Sequence, residues 1–209
     1  MKLYTHEQAP NPRRVHIFLR EKQIKVETVQ VDFMKGELKG EEFTKKNPAQ
    51  RIPVLELDGG TCISETVAIC RYFEEMYPLR PLFGLTAVER ATVEMWNRRT
   101  ELNFLMPVFH VFRHGHPAMA ELEKPQIEEW SKANRPKAIE GLAMINDQLE
   151  KKQFVAGDRF SIADISAYVG VKFCRPAKVD IPEGLDGLQR WLKVMEERPS
   201  IAAKATSPA

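Results

Sequence analysis

Apolar and polar positions change period several times along the first third of the chain. "KLYT" (2–5) is a short strand. "NPRRVHIFLREK" (11–22) puts Val15, Phe18 and Leu19 on one helical face, with Asn11 as N-cap and Pro12 in the first turn. "VETVQVDF" (26–33) alternates, with Val29, Val31 and Phe33 on one side of a strand. "GEEFTKKNP" (40–48) is a short polar helix or turn, and "IPVLELDGGTCIS" (52–64) a hairpin around Asp58-Gly59-Gly60. "ETVAICRYFEEMYP" (65–78) carries Ile69, Tyr72, Phe73 and Met76 at helical spacing. The predicted order is β-α-β-α-β-β-α.

Prolines interrupt any regular structure in "YPLRPLFG" (77–84), which reads as a linker. The remainder is helical. From Thr86, the residues Val88, Thr92, Met95, Arg99, Leu102, Met106 and Phe109 recur every three to four positions, and Pro107 should bend this long helix. A second helical region spans 126–150, with Ala138, Leu142, Ile145 and Leu149 in a stripe and Pro136 at a kink or boundary. "VAGDRFSIADISAYVGVKF" (155–173) and "GLDGLQRWLKVMEERPSI" (184–201) supply two more helices. The expected organisation is a mixed α/β domain over 1–78, a linker over 79–85 and an all-helical domain over 86–209. Two domains this small bury a limited share of their surface, so a dimer is plausible.

Composition narrows the function classes. With 31 Lys and Arg against 29 Asp and Glu, the formal net charge is +2, and no basic stripe, zinc spacing or aromatic ladder points to nucleic acid. Three cysteines, Cys62, Cys70 and Cys174, without a CxxC, argue against a disulfide framework and for a reducing compartment. "FLMPVFHVF" (104–112) is too short to span a bilayer. The N-terminus lacks the apolar core of a signal peptide, so the expectation is a cytoplasmic protein with no membrane contact.

Three places carry candidate chemistry. Ser64 is positioned to cap a helix that starts at Glu65. A hydroxyl, free helix N–H groups and a carboxylate there suit an α-amino acid head, which bears both charges. Pro53 follows Ile52 at the entry to a strand, where a cis bond would leave the Ile52 backbone open to an extended ligand. Ser161 and Asp164 form S-x-x-D ahead of an apolar run, a capping-box variant that serves stability. His110 and His114 share a helical face, but no neighbouring Cys or Glu completes a metal site, so no metal is expected.

"LYTHEQAPNPRRVHIFLREK", "NPAQRIPVLELDGG" and "ISETVAICRYFEEMYP", in this order, resemble the thioredoxin-like domain of cytosolic glutathione transferases. "FVAGDRFSIADISAY" resembles the buried capping motif of that family's helical domain. The resemblance covers essentially the whole chain. It implies a glutathione transferase fold and glutathione as cosubstrate. It also implies a cis Pro53, with the Ile52 backbone pairing to the cysteinyl part of glutathione and Glu65 and Ser64 gripping its γ-glutamyl head. Gln50 and Arg51 would lie near the glycyl end, where Lys39 or Lys35 would meet its carboxylate. The family's first helix of the helical domain lines the electrophile pocket, which makes Phe109, His110, Phe112 and Arg113 lining candidates. Arg99 and Asn103, on the same long helix, would face the site or the partner of a homodimer.

The catalytic position departs from the family. Where members carry Tyr, Ser or Cys, this chain reads "THEQAPNP" (5–12). Ala9 stands at the serine position and Asn11 at that of a bacterial subgroup's cysteine. Asn11 can donate to a thiolate without accepting its proton, so it would stabilise charge and not act as a base. Tyr4 is expected to face the core and His6 the loop surface. "APN" resembles the bacterial nu-class enzymes, whose typical sequence has Thr in place of Ala9, and those are similar to glutathione-dependent disulfide reductases too. The leading expectation is a transferase acting on a small hydrophobic electrophile. A reductase of small disulfides and a non-catalytic binding module are the alternatives.

Overall fold

The computed structural model describes residues 1–6, 8–32 and 35–202; Phe33 lies outside them. Two compact units emerge: Met1–Pro81 with Pro199–Ala202, and Leu82–Arg198.

The first unit is built on a four-stranded sheet in the order β2-β1-β3-β4, formed by β1 (Lys2–Thr5), β2 (Glu27–Gln30), β3 (Val54–Glu56) and β4 (Cys62–Ser64). β2 runs parallel to β1, while β3 is antiparallel to both β1 and β4. α1 (Pro10–Lys22), α2 (Glu41–Lys46) and α3 (Thr66–Met76) complete the expected order. Leu3, Val15, Phe18, Leu55, Ile69 and Phe73 are fully buried between the sheet and α1 and α3. Met76, at the end of the apolar spacing in α3, is 54% exposed and outside this core. α9 (Pro199–Ala202) belongs to the same unit: the Ser200 hydroxyl donates to the Glu21 carboxylate of α1.

Two expected caps are displaced. α1 begins at Pro10, with Ala9 as its N-cap, so Asn11 is a first-turn residue and makes no capping bond. Pro10 already suits the opening position, because its missing N–H needs no partner there. α3 begins at Thr66. Its N-cap is Glu65, in a backbone conformation with φ +69°, and Ser64 is the last residue of β4.

The helical unit opens with α4 (Ala87–Thr100), started by a full capping box of Thr86 and Glu89. The long helix does not simply bend at Pro107. A π-helical turn over Glu101–Leu105 separates α4 from α5 (Met106–Gly115). Pro107 has no N–H for the Asn103 carbonyl four residues back. That carbonyl instead faces Gly141 of α6 (Glu128–Lys151), where any Cβ would collide with it. The apolar stripe read along α4 and α5 faces outward: Val88 is 76% exposed and Leu102 62%. The buried side carries Val93, Trp96, Asn97, Thr100, Phe104 and Val108. α6 continues through Pro136 and buries Ala138, Leu142, Ile145 and Leu149. α7 (Ile162–Cys174) lies within the core, and α8 (Asp186–Glu196) contributes the buried Trp191.

Candidate functional site

One end of the sheet gathers the first unit's candidates. Tyr4 pairs with Val54, and Val54 with Ser64. One step further along both registers lie Thr5, Pro53 and Glu65, so the loop leaving β1, the entry to β3 and the exit from β4 share an end. The Ile52–Pro53 bond is cis. Glu65 is an exposed carboxylate with no hydrogen bond or ion pair among the described residues. A non-glycine residue at positive φ is uncommon and costs on the order of 1–3 kcal/mol, and such strain clusters at binding sites. Here it turns the chain so that Glu65, not Ser64, is the cap residue and Thr66, not Glu65, opens α3. The sequence reading overlooked Thr66. Its signal was present, since Glu65 is flanked by hydroxyls on both sides, but only the backbone shows which one belongs to the helix.

The loop from β1 leads at the same end into the N-terminus of α1. Asn11, in the first turn and half-buried, makes no side-chain hydrogen bond among the described residues, so its amide is uncommitted. Unpaired N–H groups of that turn add positive potential beside it. Ala9, the N-cap, offers only a methyl group. Tyr4 is excluded as a thiol partner by its own contacts. Its phenol donates to Glu56 Oε2 at 2.7 Å, Lys46 donates to Glu56 Oε1 at 2.9 Å, and the Glu56 bond with burial raises the phenol's pKa. His6 is half-buried at the end of β1.

Gln50 lies near the cis bond with φ +53°, and its amide donates to Thr44 Oγ1 at 3.1 Å. Arg51 is exposed, and its carbonyl accepts from Asn47 Nδ2 at 2.8 Å. Lys39 ends an exposed 3-10 turn (Glu37–Lys39), and Lys35 pairs with Asp32 at 3.2 Å. These residues border the sheet end in sequence. At the registers themselves Ser64 closes β4, Glu65 is exposed, and Thr66 is buried at the start of α3.

The helical unit divides its candidates between two places. Phe109 and Phe112 pack edge-on against Phe173 of α7, at 5.3 and 4.9 Å between ring centres. His110 meets the edge of Trp130 at 5.7 Å, and burial, with His114 and Arg113 nearby, lowers its pKa. Arg113 is tied to Glu123 at 2.9 Å. Arg99 and Asn103 lie elsewhere: Arg99 covers the Trp96 ring, and Asn103 lines an open groove of about 420 Å³ with Leu102, Pro107 and Lys137.

Ser161 and Asp164 form a closed buried network. Asp164 Oδ1 accepts from the Val155 N–H and from Trp191 Nε1, each at 2.9 Å. Its Oδ2 accepts from the N–H and the hydroxyl of Ser161, at 2.9 and 3.0 Å. Burial outweighs these four donors and pushes the carboxyl up to about 6. Cys70 and Cys174 are buried and in no disulfide, and burial pushes the Cys174 thiol up to about 12. Cys62, expected to be buried, is only half so. Among the described residues, no three His, Cys, Asp or Glu side chains are grouped to hold a metal, and no helix is long and apolar enough to cross a membrane.

A mixed four-stranded sheet packed with helices, followed in the chain by an all-helical unit, defines a thioredoxin-like domain joined to an all-helical one. Family models bear this out: that of the glutathione S-transferase N-terminal domain matches residues 1–75, and that of the C-terminal domain residues 128–193. Glutathione S-transferase 2 of Saccharomyces cerevisiae is 39% identical over 204 residues, covering 96% of this chain and 88% of that protein. Glutathione S-transferase GstA of Escherichia coli O157:H7 is 29% identical, over 89% of this chain and 88% of that one. Among solved structures, a glutathione S-transferase domain-containing protein of Marinobacter aquaeolei superposes with a TM-score of 0.93 at 41% identity, covering 96% of this chain and 100% of the other. Gtt2 of Saccharomyces cerevisiae gives 0.92 at 39% identity, over 97% and 99%. The chain belongs to the glutathione S-transferase family, and glutathione is its cosubstrate.

Proposed function

We propose that the sheet end of the first unit binds glutathione and holds its sulfur as a thiolate for attack on a small hydrophobic electrophile. The observation that carries this reading is that Glu65, an exposed carboxylate with no partner among the described residues, directly precedes Thr66 at the start of α3. The carboxylate suits the γ-glutamyl ammonium, and the hydroxyl and helix N–H groups suit the adjoining carboxylate. Ile52, Pro53, Gln50 and Ser64 would border the peptide, with Arg51 and Lys39 towards the glycyl end. Asn11 would donate to the sulfur. A thiol with an ordinary pKa near 8.5 needs such stabilisation to be charged at neutral pH. Phe109, Phe112 and His110 would supply an apolar and aromatic wall for the electrophile.

Beyond family membership, we place the chain with bacterial-type enzymes, with a nu-like "APN" turn at 9–11. That turn, which carries no cysteine, favours a second reading as a disulfide reductase, in which glutathione would supply both sulfurs. A homodimer is proposed because Val88, Met95, Leu102 and Met106 present an exposed apolar row along α4 and α5. A cytoplasmic location accords with three cysteines that form no disulfide. Calorimetric titration with reduced and oxidised glutathione in parallel tests the site. Preference for the reduced form supports the transferase, tighter binding of the oxidised form supports the reductase, and binding of neither overturns the reading.

A further inference from the structure

The turn that carries Gln50 and Arg51 is strung between two fixed points. Ahead of it, α2 is anchored by Phe43, buried with Val31 and Val54, and by Lys46, which donates to Glu56 Oε1 at 2.9 Å. Beyond it, Ile52 packs against the same apolar cluster and Pro53 is buried. Between these points Pro48, Ala49 and Arg51 are exposed, and Gln50 holds φ +53°. An exposed turn has little packing to offset the conformational entropy lost on ordering, and a non-glycine residue at positive φ adds strain. Hydrogen bonds must supply what packing does not.

Asn47 supplies them. It is 4% exposed, and its N–H closes α2 on the Phe43 carbonyl at 2.9 Å. Its side chain reaches forward over the turn: Nδ2 donates to the Arg51 carbonyl at 2.8 Å, and Oδ1 accepts from the Ala49 N–H at 3.1 Å. Its own carbonyl accepts from the Gln50 N–H at 2.9 Å. Backbone groups of Ala49, Gln50 and Arg51 thus converge on one buried residue. The tie from the Gln50 amide to Thr44 Oγ1 holds a side chain, whereas Asn47 holds the main chain. A buried amide without partners is costly, and both ends of this one find theirs inside the turn.

We propose that Asn47 is a positioning residue for glutathione. It touches no part of the ligand; it holds the 48–51 turn in the shape that grips the glycyl end. A turn already fixed gives up less freedom when the ligand arrives, so more of the contact energy appears as affinity. This rests on the placing of Gln50 and Arg51 towards the glycyl end proposed above. A residue that only kept the domain folded would act on every part of the ligand alike. A brace on this turn acts on the glycyl residue and spares the γ-glutamyl head and the sulfur, which are assigned to α3 and α1.

Calorimetric affinities for glutathione and for γ-glutamylcysteine, the same ligand without its glycine, separate the two cases on the intact chain. The parent should prefer glutathione. Asn47→Ala removes both side-chain bonds and should weaken glutathione about tenfold, the scale of one to two hydrogen bonds, while γ-glutamylcysteine stays within about twofold. The preference should therefore shrink, with the bound thiol's pKa unmoved. Should the Ala variant not fold, Asn47→Ser decides by the same ratio, since its hydroxyl keeps an acceptor for the Ala49 N–H and gives up the Arg51 carbonyl. Backbone amide shifts of the parent on adding glutathione read the site itself, and those of Ile52 and Glu65 should both move. If neither moves, the site reading fails and the brace falls with it. If both move, the brace alone is overturned by a parent without preference, by a variant that keeps the parent's preference, or by an equal loss for both ligands.

Discussion

Thr5 Oγ1 and His16 Nε2 lie 2.7 Å apart, a buried pair that ties the end of β1 to the middle of α1. Burial, with Arg20 nearby, lowers the His16 pKa to about 4. The unfolded chain therefore takes up a proton near the ordinary 6.5 that the folded chain refuses until about 4. This stability is complete above about pH 6.5 and is lost as pH falls towards 4. The loss should reach about 2 kcal/mol at pH 5. His16→Gln keeps a polar group near Thr5 and removes the titration. Urea midpoints at about pH 7 and about pH 5 should separate clearly in the parent chain and draw together in the variant; equal separation in both would refute the assignment.

Lys22 and Glu74 join α1 to α3 through a 2.6 Å ion pair whose side chains are 1% and 9% exposed. The ammonium also donates to the carbonyls of Leu79 and Arg80, at 3.0 and 3.3 Å. Lys22→Met leaves a buried carboxylate and two carbonyls without this donor, and should cost about 3–5 kcal/mol. Adding Glu74→Leu should recover part of that loss, because the buried carboxylate that lost its ammonium partner goes with it. A double variant as unstable as the sum of the single ones would show that the pair is not coupled.

Asp164 should act in the opposite sense to His16 over the same pH range. Its folded pKa of about 6 lies above the ordinary 3.8, so the folded state holds the extra proton between them. That contribution is complete below about pH 3.8 and disappears as pH rises through 6, an effect of about 3 kcal/mol. Asp164→Asn removes the titration but sets an NH₂ group against donors from Ser161, Val155 or Trp191. The variant should be less stable by about 2 kcal/mol or more at low pH, despite its matched shape. Denaturant melts of both proteins across the acidic range check both statements, and a variant as stable as its parent would contradict the donor network.

The order of elements was legible because strand alternation, the Asp-Gly-Gly turn and the capping residue Ser161 are local signals. Ala138, Leu142, Ile145 and Leu149 were legible for the same reason, since one apolar stripe on a helix marks its buried face. The stripe through Val88, Met95 and Leu102 misled because the opposite face of α4 is also apolar, and periodicity alone does not say which side is covered. The start of α3 was readable to within one residue. Glu65 adopts positive φ without being glycine, which nothing in the sequence announces, and that twist moves the cap from Ser64 to Glu65 and the helix start from Glu65 to Thr66. Asn11 was displaced from its expected cap by Pro10 in the same way.

Separate effects on affinity and on charge should follow from that arrangement. Thr66 stands at the start of α3, and its hydroxyl would meet the γ-glutamyl carboxylate; Asn11 stands on α1 and would meet the sulfur. Thr66→Ala should weaken glutathione binding about tenfold, the scale of one hydrogen bond to a charged group, and leave the bound thiol's pKa where it was. Asn11→Ala should do the reverse: binding at low pH is nearly kept, while the thiol pKa rises by about one to two units. Asn11→Asp should raise it further, because a carboxylate repels the thiolate. Thiolate absorbance against pH, read alongside calorimetric affinity, resolves the two effects. A thiol titration unmoved by Asn11→Ala would leave the backbone N–H groups of α1 as the thiolate's donors and remove Asn11 from the chemistry.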